Sequence, residues 1–140
     1  MTLSAIFNIA GSALTAETAR LTTSAENMSN ANVESGSADE TYKAKYPIFK
    51  AVQEQANQWI GEQASGGVQL KGTYESTLDP RKRYAPDNPL ADKDGFVYTP
   101  NVNYVEEMAN VISASRSYQM DVELLNTTKQ LLLRTLKLGE

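Results

Sequence analysis

Apolar side chains recur every seven residues at both ends of this 140-residue chain, over spans too long for one small globule to cover. The stronger pattern runs over 104–137. With Met108 as heptad position a, Ser115, Val122, Lys129 and Leu136 follow, and the d positions are Tyr104, Val111, Tyr118, Leu125 and Leu132. Every d position is apolar or aromatic, whereas Ser115 and Lys129 interrupt position a. Over 3–31, Phe7, Leu14, Leu21 and Met28 recur at the same interval, with Leu3, Ala10 and Ala25 on the same stripe. As helices, 3–31 measures about 43 Å and 104–137 about 50 Å. A compact domain of this length has a radius of gyration of about 14 Å. The helices must therefore pair and leave apolar surface for other chains.

The expected fold is α+β, mainly α. Long N- and C-terminal helices pair antiparallel as a coiled-coil stalk, with a small β-rich insert between them. The expected divisions are 1–33, 34–102 and 103–140. The seam, read as Phe7, Leu14, Leu21, Met28, Met108, Val111, Tyr118, Val122, Leu125, Leu132 and Leu136, has Glu17, Ser24, Ser115 and Lys129 in or beside it. Such a stalk is expected to order mainly within an assembly. Gly11 costs the first helix about 1 kcal/mol relative to Ala. Close approach of a neighbouring backbone is the expected compensation.

The second helix has a well-marked start in Thr99-Pro-Asn-Val-Asn-Tyr-Val-Glu-Glu-Met108. Asn103 suits the N-cap, and Glu106 three residues on can reach back to it. Glu106 and Glu107 place negative charge at the positive end of the helix dipole. Pro100 favours an extended residue before it, so the strand-like Gly95–Thr99 ends there. Lys129, Arg134 and Lys137 suit the C-terminal end, and Gly139 the stop.

Residues 34–41 read as a polar linker, while 42–52 and 67–74 alternate like strands, with Pro47 confining the first to an edge or bulge. Residues 53–66 fit either a helical turn or an irregular loop. The proline- and aspartate-rich stretch 78–95 reads as an ordered loop rather than regular structure.

Composition excludes several chemistries. The sequence has no cysteine and no histidine, so disulfides, thiolate nucleophiles, Cys or His metal sites and an imidazole base are all absent. The net charge of −4 is spread over the chain without a basic patch, which argues against nucleic acid as a partner. No apolar run is long enough for a membrane span, and no direct membrane insertion is expected. The N-terminus lacks the basic residues of a cleaved leader, so export, if any, is expected by another route.

Candidate sites are few. Asp87, Asp92 and Asp94 before Gly95 suggest a cation loop, but an EF-hand register puts Leu90 first and Asn101 last, and the match fails. Turn capping by Asp and Asn is the preferred reading. Glu106 and Glu107 are adjacent on a helix and point about 100° apart, unlike an opposed glycosidase pair. Arg116 suits either a snorkelling surface role or an intersubunit ion pair. Asn27, Asn30 and Asn32 suit turn capping or hydrogen bonds between packed helices. No enzyme activity, cofactor or metal is expected.

Two stretches carry a resemblance. Ser12–Asn32 (SALTAETARLTTSAENMSNAN) resembles the N-terminal helix of flagellar rod, hook and related axial proteins. Tyr84–Gly139, beginning YAPDNPLADKDGFVYTPNVNYVEEM and continuing through ASRSY, resembles the proximal rod members of that family more specifically. The motif positions are Asn27, Asn30, Pro89, Asp92, Gly95, Pro100, Asn101, Asn103, Glu107, Arg116 and Lys129. The chain departs from the family pattern at Val33-Glu34 (for a threonine), Asn88 (for a histidine) and Phe96 (for a tyrosine).

The resemblance implies a structural subunit of the basal-body rod, the shaft that transmits torque through the periplasm around a central export channel. It implies export without cleavage by the flagellar type III apparatus. Implied partners are further copies, other rod proteins and the MS-ring/export-gate adaptor at the rod base. The terminal helices would line the inner tube, the insert would lie outside, and 99–108 would be the joint between layers. The alternatives are a non-flagellar coiled-coil adaptor, a tail-tube-like protein, or a wall-cutting hydrolase, which lacks the opposed carboxylates it needs.

Overall fold

A computed structural model describes residues 3–53 and 66–138. Its elements run α1 (Leu3–Asn30), β1 (Lys45–Gln53), β2 (Gly66–Glu75), β3 (Arg81–Tyr84), β4 (Phe96–Thr99) and α2 (Tyr104–Leu138). Two long helices thus flank a small β insert of two two-stranded sheets, the α+β, mainly α arrangement expected. Of the undecided stretch 53–66, Gln53 closes β1 and Gly66 opens β2; 54–65 lie outside the described residues.

Strands β1 and β2 form where the alternation predicted strands; they pair with each other, and Pro47 lies on a strand with one partner. The alternation does not bury a face. Tyr46, Ile48 and Val52 on β1 and Val68, Leu70 and Tyr74 on β2 are all exposed, and the Tyr46 and Tyr74 rings stack at 6.1 Å.

Strand β3 corrects the reading of 78–95 as wholly irregular. Arg81–Tyr84 pairs antiparallel with β4, in register Arg81↔Thr99 to Tyr84↔Phe96. All four β3 residues are exposed, so no alternation marked them. Their conformation is imposed by the partner strand instead. On its other edge β4 meets Ser35: Ser35 N donates to Tyr98 O at 2.9 Å and Tyr98 N to Ser35 O at 3.0 Å.

The chain divides into two compact units. One comprises Met1–Ala19, Ile48–Gly72 and Ser113–Glu140; the other comprises Arg20–Pro47 and Thr73–Ile112. In the first, Ala5, Ala10, Ala114 and Thr128 are buried. Among the described residues of the chain nothing comes within 4 Å of a Cβ added at Gly11. A close approach falls one residue on. Gly67 lies against Ser12, whose Oγ would be 3.0 Å from an added Cβ, and Ser12 Oγ accepts from Val68 N at 3.1 Å while donating to Ile9 O at 2.7 Å.

In the second unit Ala31, Ala44 and Val102 form a small apolar cluster, and the Val97, Asn27 and Pro100 side chains are fully buried. Asn103 caps α2, its Oδ1 accepting from Val105 N at 3.2 Å and Glu106 N at 3.4 Å. The reciprocal bond expected from Glu106 is not formed. Its side chain is exposed, while Glu107, one residue on, is only 3% exposed.

On α2 the buried residues Glu107, Ala114 and Thr128 recur at multiples of seven. They lie one position ahead of the Met108–Ser115–Val122–Lys129 row. Among the expected seam residues, Phe7, Leu14, Leu21, Met28, Val111, Leu125 and Leu132 are half-buried, and Met108, Tyr118, Val122 and Leu136 are exposed. Among the described residues no helix is long and apolar enough to cross a membrane.

Candidate assembly joint

The asparagine cluster at the end of α1 divides into three roles. Asn30 folds back, its Nδ2 donating to Glu26 O at 2.8 Å within the last turn. Asn32 is exposed. Asn27 is fully buried and uses its whole hydrogen-bonding capacity. Its Nδ2 donates to Lys45 O at 2.8 Å and to Glu107 Oε1 at 3.0 Å. Its Oδ1 accepts from Tyr42 OH and from Lys45 N, both at 2.9 Å. An amide has two donors and two acceptor lone pairs, and all four are used here.

This arrangement ties three elements at one side chain. By bonding both the N–H and the C=O of Lys45, the Asn27 amide acts as a neighbouring strand would and fixes where β1 starts against α1. Through Glu107 it reaches the first turns of α2. Burial pushes the Tyr42 hydroxyl above its usual pKa, and the Glu26, Glu107 and Glu75 carboxylates add to this. The protonated hydroxyl is the form that donates to Asn27. The second oxygen of Glu107 is buried and, among the described residues, has no hydrogen-bond partner.

A second set of contacts holds the loop between β3 and β4. Glu34 accepts from the Arg83 guanidinium and from Asn88 Nδ2, the latter at 2.6 Å. Both contacts, led by Arg83, hold its carboxyl below the usual range. Two departures from the family pattern, Glu34 and Asn88, therefore meet in space. Asp92 Oδ1 accepts from Phe96 N at 2.8 Å and Asp94 N at 2.9 Å, and Oδ2 accepts from Tyr98 OH at 3.0 Å. These are turn-forming bonds. Among the described residues no group of three or more acidic side chains is placed to hold a metal ion.

Two predictions arise here. The Phe96 N–H, with Tyr98 and Asp94 adding to it, depresses the Asp92 pKa. A group with a depressed folded pKa contributes stability above its unfolded pKa and loses it as pH falls through the folded one. The loop is thus expected to loosen only on acidification below the ordinary aspartate range. Urea midpoints taken from pH 5 down to 2 should fall less steeply in Asp92→Asn than in the wild type. Gly95 has φ +82°, and a Cβ there would sit 2.9 Å from Tyr84 Cε2 and 3.3 Å from Pro86 Cβ. Gly95→Ala is expected to cost about 2 kcal/mol through backbone strain and the clash together, measurable by chemical denaturation.

The other motif residues are dispersed. Pro100 is buried, and Asn101 Oδ1 accepts from Arg81 Nε at 3.2 Å. Pro89, Arg116 and Lys129 are exposed. Beside the joint, Glu34, Arg81, Arg83, Pro100, Tyr104 and Val105 help to line an open groove of about 400 Å³.

The sequence matches known proteins over its whole length. A family profile described as flagellar basal body rod FlgEFG protein C-terminal covers residues 93–138. The flagellar basal-body rod protein FlgC of Escherichia coli O157:H7 is 47% identical over 140 residues, covering all of both chains. That of Yersinia enterocolitica is 46% identical with the same coverage. That of Buchnera aphidicola subsp. Schizaphis graminum is 42% identical over 143 residues, again covering both chains fully. At this identity, over complete chains and with the motif residues placed as described, the chain belongs to the flagellar basal-body rod protein FlgC family.

Proposed function

We infer that the chain is a structural subunit of the flagellar proximal rod, built into a tubular drive shaft around an export channel. The observation that carries this reading is the uncovered apolar surface of α2. Met108, Ile112, Tyr118, Met120, Leu124, Leu131, Leu133 and Leu136 are exposed on a helix that does not qualify as a membrane span. Exposed apolar surface on this scale marks a protein–protein interface. The relatives' names, all basal-body rod proteins, fit a structural role rather than a catalytic one.

In this reading residues 1–33 and 103–140 pair antiparallel as an inner coiled-coil layer, and 34–102 form the outer insert. Neighbouring copies and other rod proteins cover the remaining helix faces. The MS-ring/export-gate adaptor is the partner at the rod base, and the type III apparatus delivers the chain without cleavage. Small side chains on α1, with open space at Gly11, allow another subunit's backbone to come close.

The test is complementation. A strain lacking its own proximal rod subunit, supplied with this chain, should regain swimming and carry the chain in purified basal bodies. Folded chain that never enters basal bodies would refute the reading. Amide exchange on the isolated chain adds a second check: fast exchange in α1 and α2 with protection confined to the middle is expected, and a stable, fully protected dimer would favour a self-sufficient adaptor.

A further inference from the structure

The groove beside the joint has a chemistry that the apolar helix faces lack. We propose that it receives the acidic turn Ala38–Glu40 of a second copy of this chain, so that copies join head to tail. This inference rests on the assembly reading above.

Groove and turn both belong to the unit formed by Arg20–Pro47 and Thr73–Ile112. Two guanidinium groups line the groove, and they differ. Arg83 is neutralised by Glu34, which Asn88 also engages. Arg81 donates only to neutral oxygens, Asn101 Oδ1 at 3.2 Å and Val102 O at 3.5 Å. Among the described residues no carboxylate pairs with it, so the groove keeps one uncompensated positive charge. Tyr104 and Val105 add exposed apolar lining, Val105 at 75% exposure.

The turn is complementary. Ala38, Asp39 and Glu40 are all exposed, and among the described residues no cation pairs with either carboxylate. It is also held in shape. Thr41 Oγ1 donates to Ser37 O at 2.8 Å, Glu40 N donates to Ser37 Oγ at 3.3 Å, and the Ser35 and Thr41 hydroxyls lie 2.6 Å apart. A preorganised turn loses little entropy on docking.

Groove and turn are different surfaces, so the contact is heterologous and propagates into a ring or a helix of copies.

Because the chain has no native cysteine, crosslinking can be read without background. Glu40→Cys and Arg81→Cys are placed in separate, co-expressed full-length copies, and purified basal bodies are oxidised. A disulfide-linked dimer is expected only when both copies are present. As a second arm, Arg81→Glu and the pair Asp39→Lys with Glu40→Lys should each lower incorporation into basal bodies at least ten-fold, and combining all three should restore it. Normal incorporation without crosslink or charge-swap rescue overturns the proposal and leaves the rod reading standing. Rescue without crosslink, or crosslink without rescue, also overturns it. Absence of the wild-type chain from basal bodies overturns both.

Discussion

Asn27→Asp should destabilise the chain by at least about 3 kcal/mol, more than any surface substitution. The change is nearly isosteric, so packing is preserved. Aspartate keeps the two acceptors facing Tyr42 and Lys45 N and loses the two donors facing Lys45 O and Glu107. The buried Glu107 acceptor left without its donor costs about 1–3 kcal/mol, and the part-buried Lys45 carbonyl adds to that. The new carboxyl also faces Glu107, itself 3% exposed, and two buried carboxylates resist joint ionisation. Chemical denaturation should show the loss at pH 7 and a partial recovery on acidification, as one of the pair takes up a proton. Glu107→Gln in the same background should restore much of the stability, because an amide at 107 can donate to the introduced carboxylate. If Asn27→Asp matched the wild type in urea, the amide would not be the hub of the joint.

The second large effect separates assembly from folding. Leu124 and Leu131 are seven residues apart on α2, 47% and 53% exposed. Replacing both with Glu should change the isolated chain's stability by no more than about 0.5 kcal/mol each, as exposed positions usually do. In a rod, each lost leucine would remove about 1.5–3 kcal/mol of burial and bring an unpaired charge to an interface. The cost recurs at every copy, so swimming and basal-body incorporation should fall to background. Normal swimming by the double variant would mean that this face stays in solvent and that assembly uses another.

What could be read in advance was mostly local. The cap at Asn103, the end of β4 before Pro100 and the two helices follow from nearest-neighbour rules and seven-residue spacing. Strand β3 was missed because Arg81, Lys82 and Arg83 show no alternation; only the pairing with β4 makes them a strand. The joint was legible only in part. Hydrogen bonding between packed helices was one of two readings open for Asn27, but Glu107 already had a local explanation as a dipole charge, and nothing in the intervening sequence named it as the partner. Their shared place among the family-motif residues was the one available signal. On the second helix the buried row is Glu107, Ala114 and Thr128, one position before Met108, Ser115, Val122 and Lys129.

The Asn27–Glu107 bond spans 80 residues of sequence, and that distance has a kinetic meaning. Contacts of such separation close late, because the loop entropy must be lost before the bond can compensate for it. Until every residue from 27 to 107 is free to fold the knot cannot be tied, so this lock closes as a late step and the chain stays pliable up to it.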